Sequence, residues 1–245
     1  MKRTSIITNV LACLMVVLAA LGSLCTAVVF KAHSPLFFGS ESRTAVMDAM
    51  GFSSQEEVTA YIGLDWQQQD ELAGMLSGQM RLEYADFESD LLNEREQQHM
   101  RDVRDLVLLA QKVSQGCMTV AAALAVVIAW TGARGKRRAL PVGVLIGALL
   151  VAALIGGMYV IMQTQGFETL FVRMHELLFT NDLWLLDPNT DILIRMMPQL
   201  LFERAAMEVA VKAFQIYMIV EILLLTIYWI VGNMIRRNLT EREKQ

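Results

Sequence analysis

"IITNVLACLMVVLAALGSLCTAVVF", residues 6 to 30, decides the fold, because it holds no charged side chain over twenty-five positions. At about 1.5 Å of rise per residue, a helix of that length exceeds the roughly 30 Å hydrocarbon core of a bilayer. Lys2 and Arg3 precede the run and small residues surround Ala27, as in a secretory signal. The apolar run is longer than the roughly 7 to 15 residues of a signal core, so an uncleaved first membrane helix is expected. "VLAC" ending at Cys13 looks like a lipidation site, but apolar sequence continues well past it, and lipidation is not expected there.

Three more apolar runs of spanning length follow, at about 106–130, 141–162 and 209–230. The chain is 55% hydrophobic and 19% charged, which excludes an ordinary soluble domain. The expected fold class is all-α: one integral membrane domain, residues 1–245, with four transmembrane helices and extracytoplasmic helical segments at 31–105 and 164–208. No internal repeat, Gly-rich phosphate loop or strand pattern competes with this reading.

Basic residues near span ends mark the cytoplasmic side. Lys2 and Arg3, "RGKRR" at Arg134 to Arg138, and Arg236 and Arg237 all fall on one side if the chain crosses four times with both termini inside. The segment from Lys31 to Asp105 then lies outside and carries fifteen Asp and Glu against six Lys and Arg. His33, His99 and His175 all fall on that outer side. Nothing resembles a nucleic-acid surface, which needs an accessible basic patch. Cys13, Cys25 and Cys117 lie inside predicted spans, where a disulfide framework or a thiolate nucleophile is not expected.

In the first outer segment, Ser53 and Ser54 precede Glu56 and Glu57 by three, a doubled capping box that predicts a short helix ending at Gly63. A helix is expected from Asp65 onward, with Gly74 and Gly78 as points of division. The stretch from Glu94 is expected to run into the second span unbroken, placing His99 about 10 Å above the membrane. In the second outer segment, Asp187-Pro188 reads as an N-cap and first helical position, with Pro198 ending that helix. Leu183, Trp184, Leu185 and Leu186 are apolar outside any span, as suits a segment in the headgroup interface roofing a lipid-facing cavity.

"EREQQHMRDVR", residues 94 to 104, puts Glu96, His99 and Asp102 three apart, on one broad helix face with Arg95 nearby. Acids so placed orient an imidazole and raise its pKa. A solvated charged helix end is the plainer reading of the spacing. His175 in "FVRMHELLF" joins the apolar face of Phe171, Leu178 and Phe179, where a buried structural histidine is the plainer reading. Two histidines at one membrane boundary, each beside acids, make acid-base chemistry a coherent alternative. Metal-ligand spacing is poor, with no HExxH, yet a site of His99, His175 and one carboxylate stays open. Glu221 falls near the bilayer centre, a costly place for a carboxylate.

Together "EREQQHMRDVR" and "FVRMHELLFTNDLWLLDPNTDILIRMMPQLLF" resemble the paired signatures of the lipoprotein intramolecular transacylase (Lit) family of bacterial integral membrane proteins. The first matches at Glu96, His99, Met100, Asp102 and Val103. The second matches at His175, Phe179, Asn181, Trp184, Asp187, Pro188, Asp191, Pro198 and Phe202, and departs at Met196-Met197, where the family signature has Met-Phe.

The resemblance implies an enzyme of the bacterial cell membrane, and with ligand spacing poor and ester aminolysis able to proceed by proton transfer and oxyanion stabilisation, no metal or cofactor is expected. Such an enzyme moves the sn-2 acyl chain of a diacylglyceryl-cysteine lipoprotein onto the α-amine of the same cysteine, giving the lyso form. Its partners would be the lipoprotein N-terminus and membrane lipid, with no nucleic acid. By analogy His99 and His175 are the acid-base pair, Asp102 or Glu96 orients His99, and Asn181 donates to the oxyanion. Trp184, Asp187 and Asp191 would meet substrate. A metal-dependent lipid or peptide hydrolase and a non-enzymatic membrane scaffold are the rival readings; the distance between the two imidazoles discriminates among them.

Overall fold

The computed structural model describes residues 2–82, 89–134 and 142–242. Among them there is no strand, and the helices run α1 (Lys2–Ala32), α2 (Pro35–Phe38), α3 (Ser40–Met50), α4 (Gln55–Ile62), α5 (Trp66–Met80), α6 (Glu94–Arg134), α7 (Val142–Leu178), α8 (Ile192–Met196) and α9 (Gln199–Arg242). Three of these helices carry a stretch long and apolar enough to cross a membrane: Ile6–Ala32, Glu94–Ala133 and Gln199–Arg242. The expected third span is helical, but its apolar part, Val142–Gly157, is shorter. Among the described residues the full spanning count is therefore three, with one shorter apolar helix. Most of the basic "RGKRR" connection and Pro141 lie outside the described residues.

Two compact units share the chain. One is Met1–Ala27, Lys112–Ile161 and Val211–Gln245; the other is Val28–Gln111 and Met162–Ala210. In the first unit, Ala12, Met15, Val16 and Ala19 of α1 pack on Ala121, Ala125 and Ile128 of α6 and Leu224 of α9. Small residues permit the close approach. A Cβ on Gly147 would come within 2.8 Å of the Val16 Cβ, and one on Gly143 would overlap the backbone of Asn9. Ser114 Oγ lies 2.6 Å from Thr26 Oγ1 and donates to the Gly22 carbonyl at 3.0 Å, so α1 and α6 are also hydrogen-bonded. Glu221 is buried in this unit, hydrogen-bonded by Tyr217 one turn earlier.

The second unit holds the other core, in which Phe37, Phe38, Val46, Val58, Ile62, Leu72, Leu76 and Met80 pack with Met100, Leu193, Met196 and Leu201. Local sequence sets its helix boundaries. Ser54 and Glu57 close a capping box at the start of α4, which stops at Gly63 with φ 83°. Asp65 and Gln68 do the same for α5. Gly74 and Gly78 do not divide α5, which is continuous to Met80. Each glycine costs a helix about 1 kcal/mol, and burial of Leu72, Ala73, Leu76 and Met80 on one side of the helix outweighs that.

The helix expected from Asp187 is also corrected. Residues 188–190 form a turn and α8 begins only at Ile192, with Asp191 as its N-cap residue. Asp187 Oδ1 accepts the backbone and side-chain N–H groups of Asn189, both at 2.9 Å, which closes an Asx turn in place of a helix start. Pro198 separates α8 from α9.

Candidate active site

Helix α6 is about 60 Å long at 1.5 Å per residue, twice the hydrocarbon thickness. Its apolar part starts at Leu106, so the first three turns stand clear of the span. They begin with reciprocal bonds at 3.0 Å, from Asn93 N–H to Glu96 Oε2 and from Glu96 N–H to Asn93 Oδ1. This is capping-box geometry at N-x-x-E spacing, a signal legible in "NERE" that the spacing of His99 with its acids overshadowed. The other Glu96 oxygen accepts the Leu193 N–H at 2.6 Å, and Asn93 Nδ2 donates to Asp191 Oδ1 at 2.8 Å.

Glu96 thus spends both oxygens on backbone N–H groups and joins α6 to α8, and the expected role of orienting His99 is not the one its geometry provides. Its carboxyl is pushed up by burial, which outweighs the opposing Leu193 and Asn93 N–H bonds, with Asp191 adding to the rise.

Helix α7 leaves helical geometry at Gly166, with φ 78° and ψ 161°, a conformation that L residues other than glycine rarely adopt. The helical run that follows sets Phe167, Phe171, His175 and Phe179 four apart, on one face. Their rings form a file: Phe167–Phe171 centroids are 5.9 Å apart, Phe171–His175 4.2 Å and His175–Phe179 5.5 Å. Trp184 packs at 5.0 Å from the His175 ring, and Phe202 of α9 at 5.0 Å from Phe171. The sequence marks Phe171 only as part of the apolar face around His175 and Phe202 only as a position of the family signature; neither signal shows that the two rings meet.

His99 meets this file, with its ring 6.1 Å from His175 and 5.2 Å from Phe179. Both imidazoles are 7% exposed, so they share one nearly closed, aromatic-lined place. His175 Nδ1 lies 2.7 Å from the Phe171 carbonyl oxygen. A carbonyl only accepts, so Nδ1 carries the hydrogen and Nε2 holds a lone pair. His99 Nδ1 is buried without a hydrogen-bond partner. Burial and, less strongly, the neighbouring His175 push the His99 imidazole down to about 4, against the opposing Asp102 charge. Burial also lowers His175, against the pull of the Phe171 bond. Both rings are neutral near pH 7, opposite to the raised pKa that nearby acids alone would produce.

Asp102 sits one turn beyond His99 and accepts hydrogen bonds from Asn181 Nδ2 at 2.9 Å and Gln98 Nε2 at 3.2 Å. Its tie to His99 is one of charge, through space. Asn181 also accepts the Leu183 N–H at 3.1 Å, leaving one amide hydrogen beyond its bond to Asp102.

The two acids expected to meet substrate are engaged by groups of their own loop and, for Asp191, by Asn93. Asp191 accepts from Asp187 N–H at 2.7 Å, Thr190 Oγ1 at 3.0 Å and Asn93, and Asp187 accepts from Asn189. Burial pushes the Asp191 carboxyl up, but those bonds and the nearby Arg95 charge outweigh it and hold it below the usual range. Trp184 alone of the three packs against an imidazole. Among the described residues, no three His, Cys, Asp or Glu side chains converge as metal ligands, and Cys13, Cys25 and Cys117 are free thiols.

The fold and the site describe a helical, membrane-integral protein that carries a buried imidazole pair. The sequence profile of the lipoprotein intramolecular transacylase Lit matches residues 10–202. The chain belongs to the Lit family, and is thereby an enzyme of the transferase class. No curated protein matches it by sequence.

Solved structures similar to it include the membrane-integral lipoprotein intramolecular transacylase Lit of Bacillus cereus, at a TM-score of 0.61 and 16% identity, covering 97% of this chain and 100% of that one. A histidine-to-arginine variant of the same Bacillus cereus protein aligns at a TM-score of 0.56 and 18% identity, covering 100% of this chain and 96% of that one. At such identities the likeness speaks for the fold.

Proposed function

We propose that this protein moves the sn-2 acyl chain of a diacylglyceryl-cysteine lipoprotein to the α-amine of the same cysteine, producing the lyso form, at a site on the extracytoplasmic side of a bacterial cell membrane. The observation that carries the reading is the pair of neutral imidazoles 6.1 Å apart, one with Nδ1–H held by Phe171 and a lone pair on Nε2.

The cysteine amine attacks the ester carbonyl carbon and forms the C–N bond. His175 Nε2 accepts the proton that the amine sheds. The imidazolium so formed returns that proton to the glycerol sn-2 oxygen as the C–O bond breaks, so no proton is gained or lost overall. His99 lies beside the transfer and bonds the departing or attacking group. The remaining amide hydrogen of Asn181 supports the tetrahedral oxyanion.

Amine and ester belong to one molecule, so a site that folds the lipid head toward the amine supplies a high effective concentration. An enzyme nucleophile is unnecessary. The α-amine, with a pKa of about 7.7 to 8, is easily kept neutral. Trp184 offers an apolar plane to the substrate, while Asp187 and Asp191 shape the loop that presents it. The buried, nonpolar setting of the imidazoles favours this reading over a solvated charged helix end.

His99→Ala and His175→Ala are each expected to lower acyl migration by about 10²- to 10⁴-fold, with membrane levels unchanged and His33→Ala tolerated. Co-expression with a diacylated lipoprotein, followed by mass spectrometry of its N-terminal lipopeptide, makes the measurement. Full lyso-form product from either of the first two variants refutes the paired-imidazole mechanism.

A further inference from the structure

The turn that carries Asn181, Asp182 and Trp184 is clipped to α6 at two points, and they bracket His99. Four residues before the histidine, Arg95 donates from a terminal guanidinium nitrogen to the Asp182 carbonyl oxygen at 2.6 Å. Three residues after it, Asp102 accepts from Asn181 at 2.9 Å. Between the clips the turn is held to itself by Leu183 N–H on Asn181 Oδ1 and by Leu185 N–H on the Asp182 carbonyl. Trp184, at the end of this turn, is the residue whose ring packs 5.0 Å from His175.

Arg95 also faces the far end of the same loop, where its charge acts on the Asp191 carboxylate. One cation on the first turns of α6 therefore acts on the loop near its beginning and near its end. Its neighbour Glu96 is committed elsewhere, to the Asn93 and Leu193 N–H groups.

We propose that Arg95 is a positioning residue for acyl transfer: by holding the Asp182 carbonyl it sets Trp184 against His175 and keeps the Nε2 edge of that imidazole in register with His99. The proposal rests on the reading of His99 and His175 as the site of acyl transfer, with His175 moving the proton. Arg95 touches neither ring and acts through the turn. A charge-assisted bond made by an exposed side chain is modest, so its loss loosens the turn without unfolding the unit. The expected effect is a fall in the maximal rate of about threefold to tenfold, with little change in apparent substrate affinity. A lysine, which reaches the same carbonyl with one N–H donor, should recover part of the rate.

The test uses the full chain in detergent or vesicles, labelled with 5-fluorotryptophan, with the Trp184 resonance assigned by its loss in Trp184→Phe. Arg95→Ala is expected to shift or broaden the Trp184 resonance, leave those of Trp66, Trp130 and Trp229 in place, and lower the maximal rate; Arg95→Lys should move both readouts back toward the wild type. An unmoved Trp184 resonance overturns the proposal, and so does a moved resonance with an unchanged rate. If the wild-type protein transfers no acyl chain, the reading of the site fails by itself, and the fluorine spectrum still decides whether Arg95 holds the turn.

Discussion

His99 is a histidine kept neutral by its surroundings. Burial and, less strongly, His175 take it from 6.5 to about 4, so at neutral pH it can exchange a proton without first losing one. The same shift bears on stability. Between about pH 6.5 and 4 the unfolded chain binds a proton that the folded chain does not, so folding stability falls as pH falls through that window and levels off below it. Over the full window the loss approaches roughly 3 kcal/mol, and His175 acts in the same direction. The thermal unfolding midpoint in detergent should therefore drop more steeply between pH 6.5 and 4.5 for the wild type than for His99→Gln. Equal slopes would show that His99 is not a buried neutral ring. Spacing alone places Asp102 and Glu96 beside His99, but it does not reveal that their oxygens are engaged by Asn181, Gln98, Asn93 and Leu193.

Several helix boundaries in the second unit follow local chemistry closely. The Ser54–Glu57 box, the Gly63 stop and the Pro198 break are all local effects, decided within a few residues, and each is legible in the sequence. Elements whose shape depends on distant partners are not. The Asp187-Pro188 pair has the chemistry of a helix start, yet the Asp191 carboxylate, bonded across the fold by Asn93, takes the Asp187 N–H and the chain turns instead. Glu96 has the spacing of a catalytic acid, yet it is the joint between α6 and α8. Glu96→Ala would leave the Leu193 and Asn93 N–H groups without their acceptor, at a cost of about 3 kcal/mol. Chemical or thermal unfolding in detergent at pH 7 should show that loss for Glu96→Ala, while His99→Gln, which keeps most of the buried volume, loses less. The reverse order would assign Glu96 to chemistry and His99 to the fold.

For the whole molecule, basic residues at the span ends predict cytoplasmic termini and an outer site. An impermeant thiol reagent applied to intact cells should label Ser54→Cys and spare Gly135→Cys, and the opposite pattern would invert the topology. The native thiols are a weak background, since Cys13, Cys25 and Cys117 lie on the apolar helices.

The sequence by itself determined that the chain is helical and membrane-integral, where α4, α5 and α6 begin and where α4 ends, and which two histidines merit attention. Those properties come from hydrophobic run length, capping and charge placement, all of which act over short distances along the chain. Only the tertiary structure decided that residues 99 and 175, distant in sequence, bring their rings to 6.1 Å, that Phe171 fixes which nitrogen of His175 is bare, and that the surrounding acids serve the loop. Proton affinity and hydrogen-bond partnership depend on burial and on what lies across the fold, and no spacing along one helix encodes them.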